Sequence, residues 1–263
     1  MRHKQKMKNE DISKVYRSYD CDDTQNAAST GETGLFNAVN NYYDSLHRIC
    51  VARKNELDSC FAVRLAVNLL EYLKTGEIKL TKDKCLPQTF YDRFVKNYQT
   101  QTSGVDDELI EIYTKQCVLM LKKSGIISTE GSRVRIVKRN DNVPLYLEIF
   151  ESFWNKNDWD SLFPSNTRAA RELKTKRFLF INHLLKIRNK TRVESLVNGF
   201  FTDTGMAEKN NLFMISFIDF YLLTWFTHFG LIQYRSEDRD KAVYIEVTET
   251  GRELFKQLSH ETS

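Results

Sequence analysis

From Leu35 onward apolar residues recur every three or four positions. The stretch "LFNAVNNYYDSLHRI" sets Leu35, Val39, Tyr42, Tyr43, Leu46 and Ile49 near helical spacing, and "CFAVRLAVNLLEYLKTGE" repeats the signal until Gly76 stops it. That spacing predicts two helices before residue 77. Residues 1–34 are different: "MRHKQKMKNED" passes into "DCDDTQNAASTGETG" with few large apolar groups to bury, which predicts a flexible polar arm.

Beyond Gly76 one series of signals occurs twice. In the first pass "IKL" reads as a short strand, "LPQTFYDRFVKNYQ" as a helix, "VDDELIEIYTKQCVLMLKKSG" as a longer helix and "IISTEGSRVRIVK" as a hairpin turning at Glu130 and Gly131. In the second, "RELKTKRFLFINHLLKI" and "RVESLVNGFF" read as helices, "NNLFMISFIDFYLLTWFTHFG" as the long one and "LIQYRSEDRDKAVYIEV" as the hairpin. Both long helices end alike, an apolar residue four positions before a glycine that is followed by an apolar residue and Ile, at Leu121–Ile127 and Phe226–Ile232. The chain therefore contains an internal repeat.

A helix, a short strand, two more helices and a hairpin resemble the winged-helix superfamily. The resemblance implies a mainly α fold with small β-hairpins (α+β), made of two winged-helix units in tandem. Its domains are a polar arm at 1–34, a helical lead-in plus first unit at 35–139, an aromatic-rich linker at 140–167 and a second unit at 168–263. Gly125 should match Gly230, and Arg133–Val137 should match Val243–Val247. In the second unit Gly230 ends the helix in the left-handed conformation, Arg235 to Lys241 form the wing tip, Val243, Ile245 and Val247 point inward, and Thr250 caps the closing helix.

Composition narrows the setting. With 41% hydrophobic and 12% aromatic residues in 263, the chain can bury sizeable cores. Cys21, Cys50, Cys60, Cys85 and Cys117 lie far apart and no secretory signal precedes the helices, so free thiols in a cytoplasmic setting are expected. The run Leu212–Ile232 is long enough to cross a bilayer, but Asp219 at its centre, with Ser216, Thr224, Thr227 and His228, favours a buried core helix and no membrane contact.

Charge then picks out candidate surfaces. Winged helices that bind DNA usually insert the third helix, yet here one begins with Asp106, Asp107, Glu108 and Glu111 and the other is covered in Leu, Ile, Phe and Trp. Between residues 168 and 192, by contrast, nine basic residues (Arg168, Arg171, Lys174, Lys176, Arg177, Lys186, Arg188, Lys190 and Arg192) face one acid, Glu172, in a chain of net charge only +4. Such a segment suits the backbone of double-stranded DNA, with Arg133 and Arg135, then Lys138 and Arg139, extending the footprint. A solvated helix face whose stems cover apolar side chains is the competing reading.

Other chemistry is thin. Glu77 and Lys79 in "GEIKL" fit half of a nuclease metal site, but the second carboxylate is missing and Asp58 is placed at a helix start. His47, His183 and His228 lack partners at ligand spacing, and no phosphate-binding glycine loop or nucleophile motif occurs, so no enzyme activity, metal or cofactor is expected. Phe150, Phe153, Trp154, Trp159 and Phe163 fit a core between the units; the alternative is that Trp154, Trp159 and Phe163, with the 106–111 acids, bind a protein partner.

Two readings follow. The first is a non-catalytic DNA-binding protein, similar to tandem winged helices in restriction-enzyme recognition domains and plasmid replication initiators. The second is a protein-interaction subunit that resembles the kleisin-binding winged-helix subunits of SMC-type complexes. A DNA-binding assembly subunit of a DNA-handling complex, of the kind found in anti-phage or plasmid defence, joins both, with a larger protein or a second copy as partner.

Overall fold

A computed structural model describes residues 42–75, 78–99, 107–129, 132–137, 143–206, 211–236 and 243–260. The predicted arm at 1–34 and the start of the first predicted helix lie outside the described residues. What is described is mainly helical, with a few small antiparallel strand pairs.

Helix α1 (42–52) and the short α2 (Lys54–Asp58) lead into α3 (Phe61–Lys74). Three helical pieces thus stand where two were predicted, and Asp58 ends α2 instead of starting a helix. The 3.6-residue period of α3 shows in its buried face, Ala62, Val63, Leu65, Ala66, Leu69 and Leu73. Next come α4 (Gln88–Gln99), α5 (Asp107–Lys123), β1 (Ile127–Ser128) and β2 (Arg135–Ile136). Strand β1 pairs with β2, and Lys79 forms an isolated bridge to Arg133 on the other side.

The predicted linker is helical. Helix α6 (Leu145–Glu151) passes into a π-helical turn (Ser152–Lys156), followed by α7 (Trp159–Leu162). Then α8 (Thr167–Leu185), β3 (Lys190–Arg192) and α9 (Val193–Thr204) precede a long helical run. That run is α10 (Asn211–Phe217), a π-helical turn (Ile218–Leu223) and α11 (Thr224–His228). Strands β4 (Ile232–Ser236) and β5 (Val243–Val247) and helix α12 (Glu249–His260) complete it. The second sheet has the order β3-β5-β4, antiparallel throughout.

The two long helices end in the same way. Gly125 and Gly230 take positive φ (81° and 72°), and each supplies its N–H to a carbonyl three residues back, at Lys122 and Thr227. The following N–H groups of Ile126 and Leu231 reach Leu121 and Phe226, five residues back. These are Schellman ends, in which the glycine accepts the left-handed turn and the next apolar residue returns to the core.

Three expectations need correction. Ile127 and Ile232 both stand two residues after their glycines, and they pair with Ile136 and Val247, so β2 matches β5 one residue earlier than predicted. Ile136 and Val137 are adjacent apolar residues, so alternation alone leaves the parity open. Val243 is 46% exposed while Ile245 and Val247 are buried, because β5 has run past the core at its first residue. Finally, α12 is capped by Thr248, whose Oγ1 accepts from the N–H of Gly251 at 2.9 Å; Thr250 instead donates to Glu56 at 2.7 Å.

One core spans the chain. Phe150, Phe153, Trp154, Trp159 and Phe163 are at most 1% exposed and pack with Trp225, Phe226 and Phe229 of the second half. Gln116 of α5 donates to the carbonyl of Leu162 (2.8 Å) and accepts from Trp225 Nε1 (2.7 Å), so one amide joins both halves and the segment between them. Asp219, the charge inside the apolar run, is half-buried and takes the hydroxyl of Tyr234. No described helix is long and apolar enough to cross a membrane.

Candidate nucleic-acid interface

Helix α8 stops at Leu185 and the chain turns through residues 186–189 into β3. Backbone carbonyls in a turn, outside helix and sheet, need donors. Arg252 of α12 provides two, with Nη2 2.6 Å from the carbonyl of Ile187 and 2.9 Å from that of Arg188. On the other side, β3 pairs with β5, setting Lys190 opposite Glu246 and Arg192 opposite Tyr244. Lys186, Arg188, Lys190 and Arg192 are thereby exposed together on a turn that is fixed at both ends.

Tyr244 lies under two of these cations. Lys190 Nζ is 4.9 Å and the Arg192 guanidinium 5.7 Å from its ring centre, and Arg192 Nε donates to its hydroxyl at 3.2 Å. Arg235 of β4 is also opposite Tyr244, but its Nε is 3.1 Å from Glu246, which offsets its charge. A shallow groove beside the turn is lined by His183, Asn189 and Ser195 along with Lys186, Arg188 and Lys190. His183 stands 3.0 Å from Asp203, and burial, reinforced by Lys186, holds its pKa below the usual histidine value.

Most of the rest of the basic segment is occupied within the chain. Lys174 Nζ donates to the carbonyls of Trp154 (2.8 Å), Asn155 (3.3 Å) and Asn157 (2.6 Å), capping the π-helical turn. Burial, with Arg177 beside it, pulls Lys174 down to about 7. Arg177 packs over Trp154 and Phe178 and donates to Asn155; Lys176 pairs with Glu172 and donates to the carbonyl of Thr204; Arg171 pairs with Asp160 at 2.7 Å. Arg168 is exposed. The expected continuous clamp over 168–192 is thus divided, because helical periodicity turns Lys174 and Arg177 toward the π-helical turn and α7 while the turn at 186–192 faces solvent.

The remaining predicted residues fall elsewhere. Arg133 and Arg135 are exposed on the first hairpin, and Lys138, Arg139, Glu77 and Asp106 lie outside the described residues. Asp107 opens α5 and Glu108 is exposed. Glu111 is 2.6 Å from Lys115 and accepts from Gln88, contacts that hold its carboxyl below the usual range. Trp154, Trp159 and Phe163, for which binding a protein partner was the alternative to a core role, have no accessible ring, since the inter-helix core encloses them. His228 packs on Phe61 and Tyr113, and burial pushes its pKa down to about 3. Among the described residues no group of three or more His, Cys, Asp or Glu is placed to hold a metal ion, and Cys50, Cys60, Cys85 and Cys117 are free thiols.

Sequence reasoning missed Tyr244 and Arg252. Tyr244 was legible through alternation, since inward Ile245 puts its neighbour on the outer face; Arg252 joins the turn across 64 residues with no local signal. The chain matches no protein-family model, no curated protein and no solved structure.

Proposed function

We propose that this chain is a non-catalytic DNA-binding and assembly subunit of a DNA-handling complex, built as two winged-helix units in tandem. The order helix, edge strand, helix, helix, hairpin supports that architecture, since it occurs twice with matching Schellman ends and with the edge strand on the same side of each hairpin. The observation that carries the DNA reading is the exposed turn with Lys186, Arg188, Lys190 and Arg192, anchored by Arg252 and Tyr244. Four cations on one exposed turn match the spacing-tolerant, sequence-independent demands of a phosphate backbone.

A second reading has its own support. The run α10–α11 buries Phe217, Ile218, Leu222, Leu223, Trp225 and Phe226, so neither it nor the acid-led α5 offers the usual groove-reading face. A protein-interaction subunit of an SMC-type complex without DNA contact fits those helices. Duplex-DNA binding as a function of salt separates the two. For a variant with Lys186, Arg188, Lys190 and Arg192 all replaced by Ala, the slope of log affinity against log salt should fall by about 0.9 for every phosphate that the turn neutralises, equally for unrelated sequences. An unchanged slope in a folded variant removes the turn from the interface.

A further inference from the structure

We infer that the groove between the end of α8 and the start of α9 is a proton-linked phosphate subsite, in which Lys186 and Arg188 hold one backbone phosphate of duplex DNA while His183 takes up a proton from solvent. The inference rests on the DNA reading above and adds a form of regulation to it, binding that strengthens as pH falls.

Lys186 and Arg188 reach the groove from the turn after α8, and Ser195 reaches it from the first turn of α9. Both cations are exposed, and among the described residues neither side chain has a hydrogen bond or ion pair within the chain, so a phosphate meets them without displacing an internal acid. Asn189 and Ser195 add uncharged donors. His183 completes the lining with only 14% of its side chain exposed. Its Nε2 is 3.0 Å from Asp203 of α9, and its Cε1–Nδ1 edge lies against Gly199, where an added Cβ would stand 3.6 Å away. The ring is thereby fixed between the two helices. The charges around it are Lys186 from the end of α8, Asp203 and the exposed Glu194 from α9, Arg188 and Lys190 on the rim, and Arg252 of α12 behind the turn. Burial and Lys186 disfavour the charged ring and Asp203 favours it, a balance that keeps its pKa below the usual histidine value. A phosphate seated on Lys186 and Arg188 offsets the repulsion, so the bound state has the higher proton affinity. By reciprocity, protonation of His183 strengthens DNA binding. The effect is confined to the window between the free and bound values, since the ring is neutral in both states above it and charged in both below it.

The test joins two measurements on the full chain. In the first, the His183 Cε1–H resonance of the wild type, assigned through the backbone, is followed against pH with and without saturating duplex DNA; its midpoint should rise by about one pH unit when DNA is bound. In the second, affinity for fluorescently labelled duplex is measured from pH 8 to 5 at fixed salt. The wild type should bind more tightly as pH falls, approaching about tenfold for a one-unit shift. His183→Gln, which keeps a donor toward Asp203, should lose that gain. A variant with Lys186→Ala and Arg188→Ala should lose the DNA-induced movement of the midpoint, since no phosphate is then held beside the ring. If DNA leaves the wild-type midpoint in place, if the movement survives without Lys186 and Arg188, or if a folded His183→Gln follows the wild-type pH profile, the inference is overturned while the DNA reading stands on its salt slope. If the wild type binds no duplex anywhere in the range, both fail together.

Discussion

Glu151 sits on α6 with no exposure, yet both its oxygens are used: Oε1 accepts from the Tyr42 hydroxyl at 3.1 Å, Oε2 from Tyr43 at 3.1 Å and from Asn155 at 2.9 Å. Burial nevertheless raises its pKa above the usual carboxylate value, the hydrogen bonds only partly opposing it. The folded state then holds a proton that the unfolded state has released, so this residue's contribution to stability falls as pH rises from the ordinary carboxylate value through the raised one. Glu151→Gln removes that titration. Denaturant unfolding of both forms between pH 4 and 8 should show the Gln variant gaining on the wild type as pH increases; a pH-independent difference contradicts the raised value. Little of this was legible beforehand, since Glu151 in "LEIFESFW" reads as an exposed position until Tyr42 and Tyr43 are brought to it from more than 100 residues away.

Between elements, the helix ends were the most legible feature. The repeated glycine pattern pointed to the left-handed end at Gly230 and to its match at Gly125, because left-handed φ is a local demand that glycine meets without strain. Strand parity in the first hairpin was not legible, as two adjacent apolar residues fit either register, and the cap of α12 was misplaced because Thr248 and Thr250 are equally good caps by residue type. The same region yields a prediction that φ alone misses. A Cβ on Gly230 would meet only Cys60 Cβ at 3.7 Å, whereas one on Gly251 would come within 2.0 Å of the Leu231 carbonyl oxygen. Gly230→Ala should therefore cost about 1–2 kcal/mol of left-handed strain. Gly251→Ala, although helical, should cost more, because α12 must move off β4; urea midpoints in the reverse order would refute this.

At the scale of the whole molecule, the repeat hides a shared interior. The sequence favoured the linker aromatics as a core, and they are buried so completely that the two halves of the described chain have one core in common. A single cooperative unfolding transition is expected, with tryptophan fluorescence and far-UV circular dichroism coinciding. Gln116→Leu tests the junction: it orphans Trp225 Nε1 and the Leu162 carbonyl, at about 1–3 kcal/mol for each buried group left unsatisfied. Separate transitions for the two halves would contradict the shared core. The candidate interface was visible only as composition; the fold decided which cations remain at the surface, and it did so through helix phase and a distant arginine.

That arginine also sets an order of events during synthesis. Arg252 follows Arg188 by 64 residues. At roughly 5–20 residues per second, a ribosome needs about 3–13 s to add them. Throughout that interval the nascent turn carries its positive charge without the guanidinium that holds its carbonyls and without β5 beside it. The surface that we assign to DNA is therefore among the last parts of the chain to acquire its shape, and a transcript truncated before residue 252 encodes the charges without the geometry.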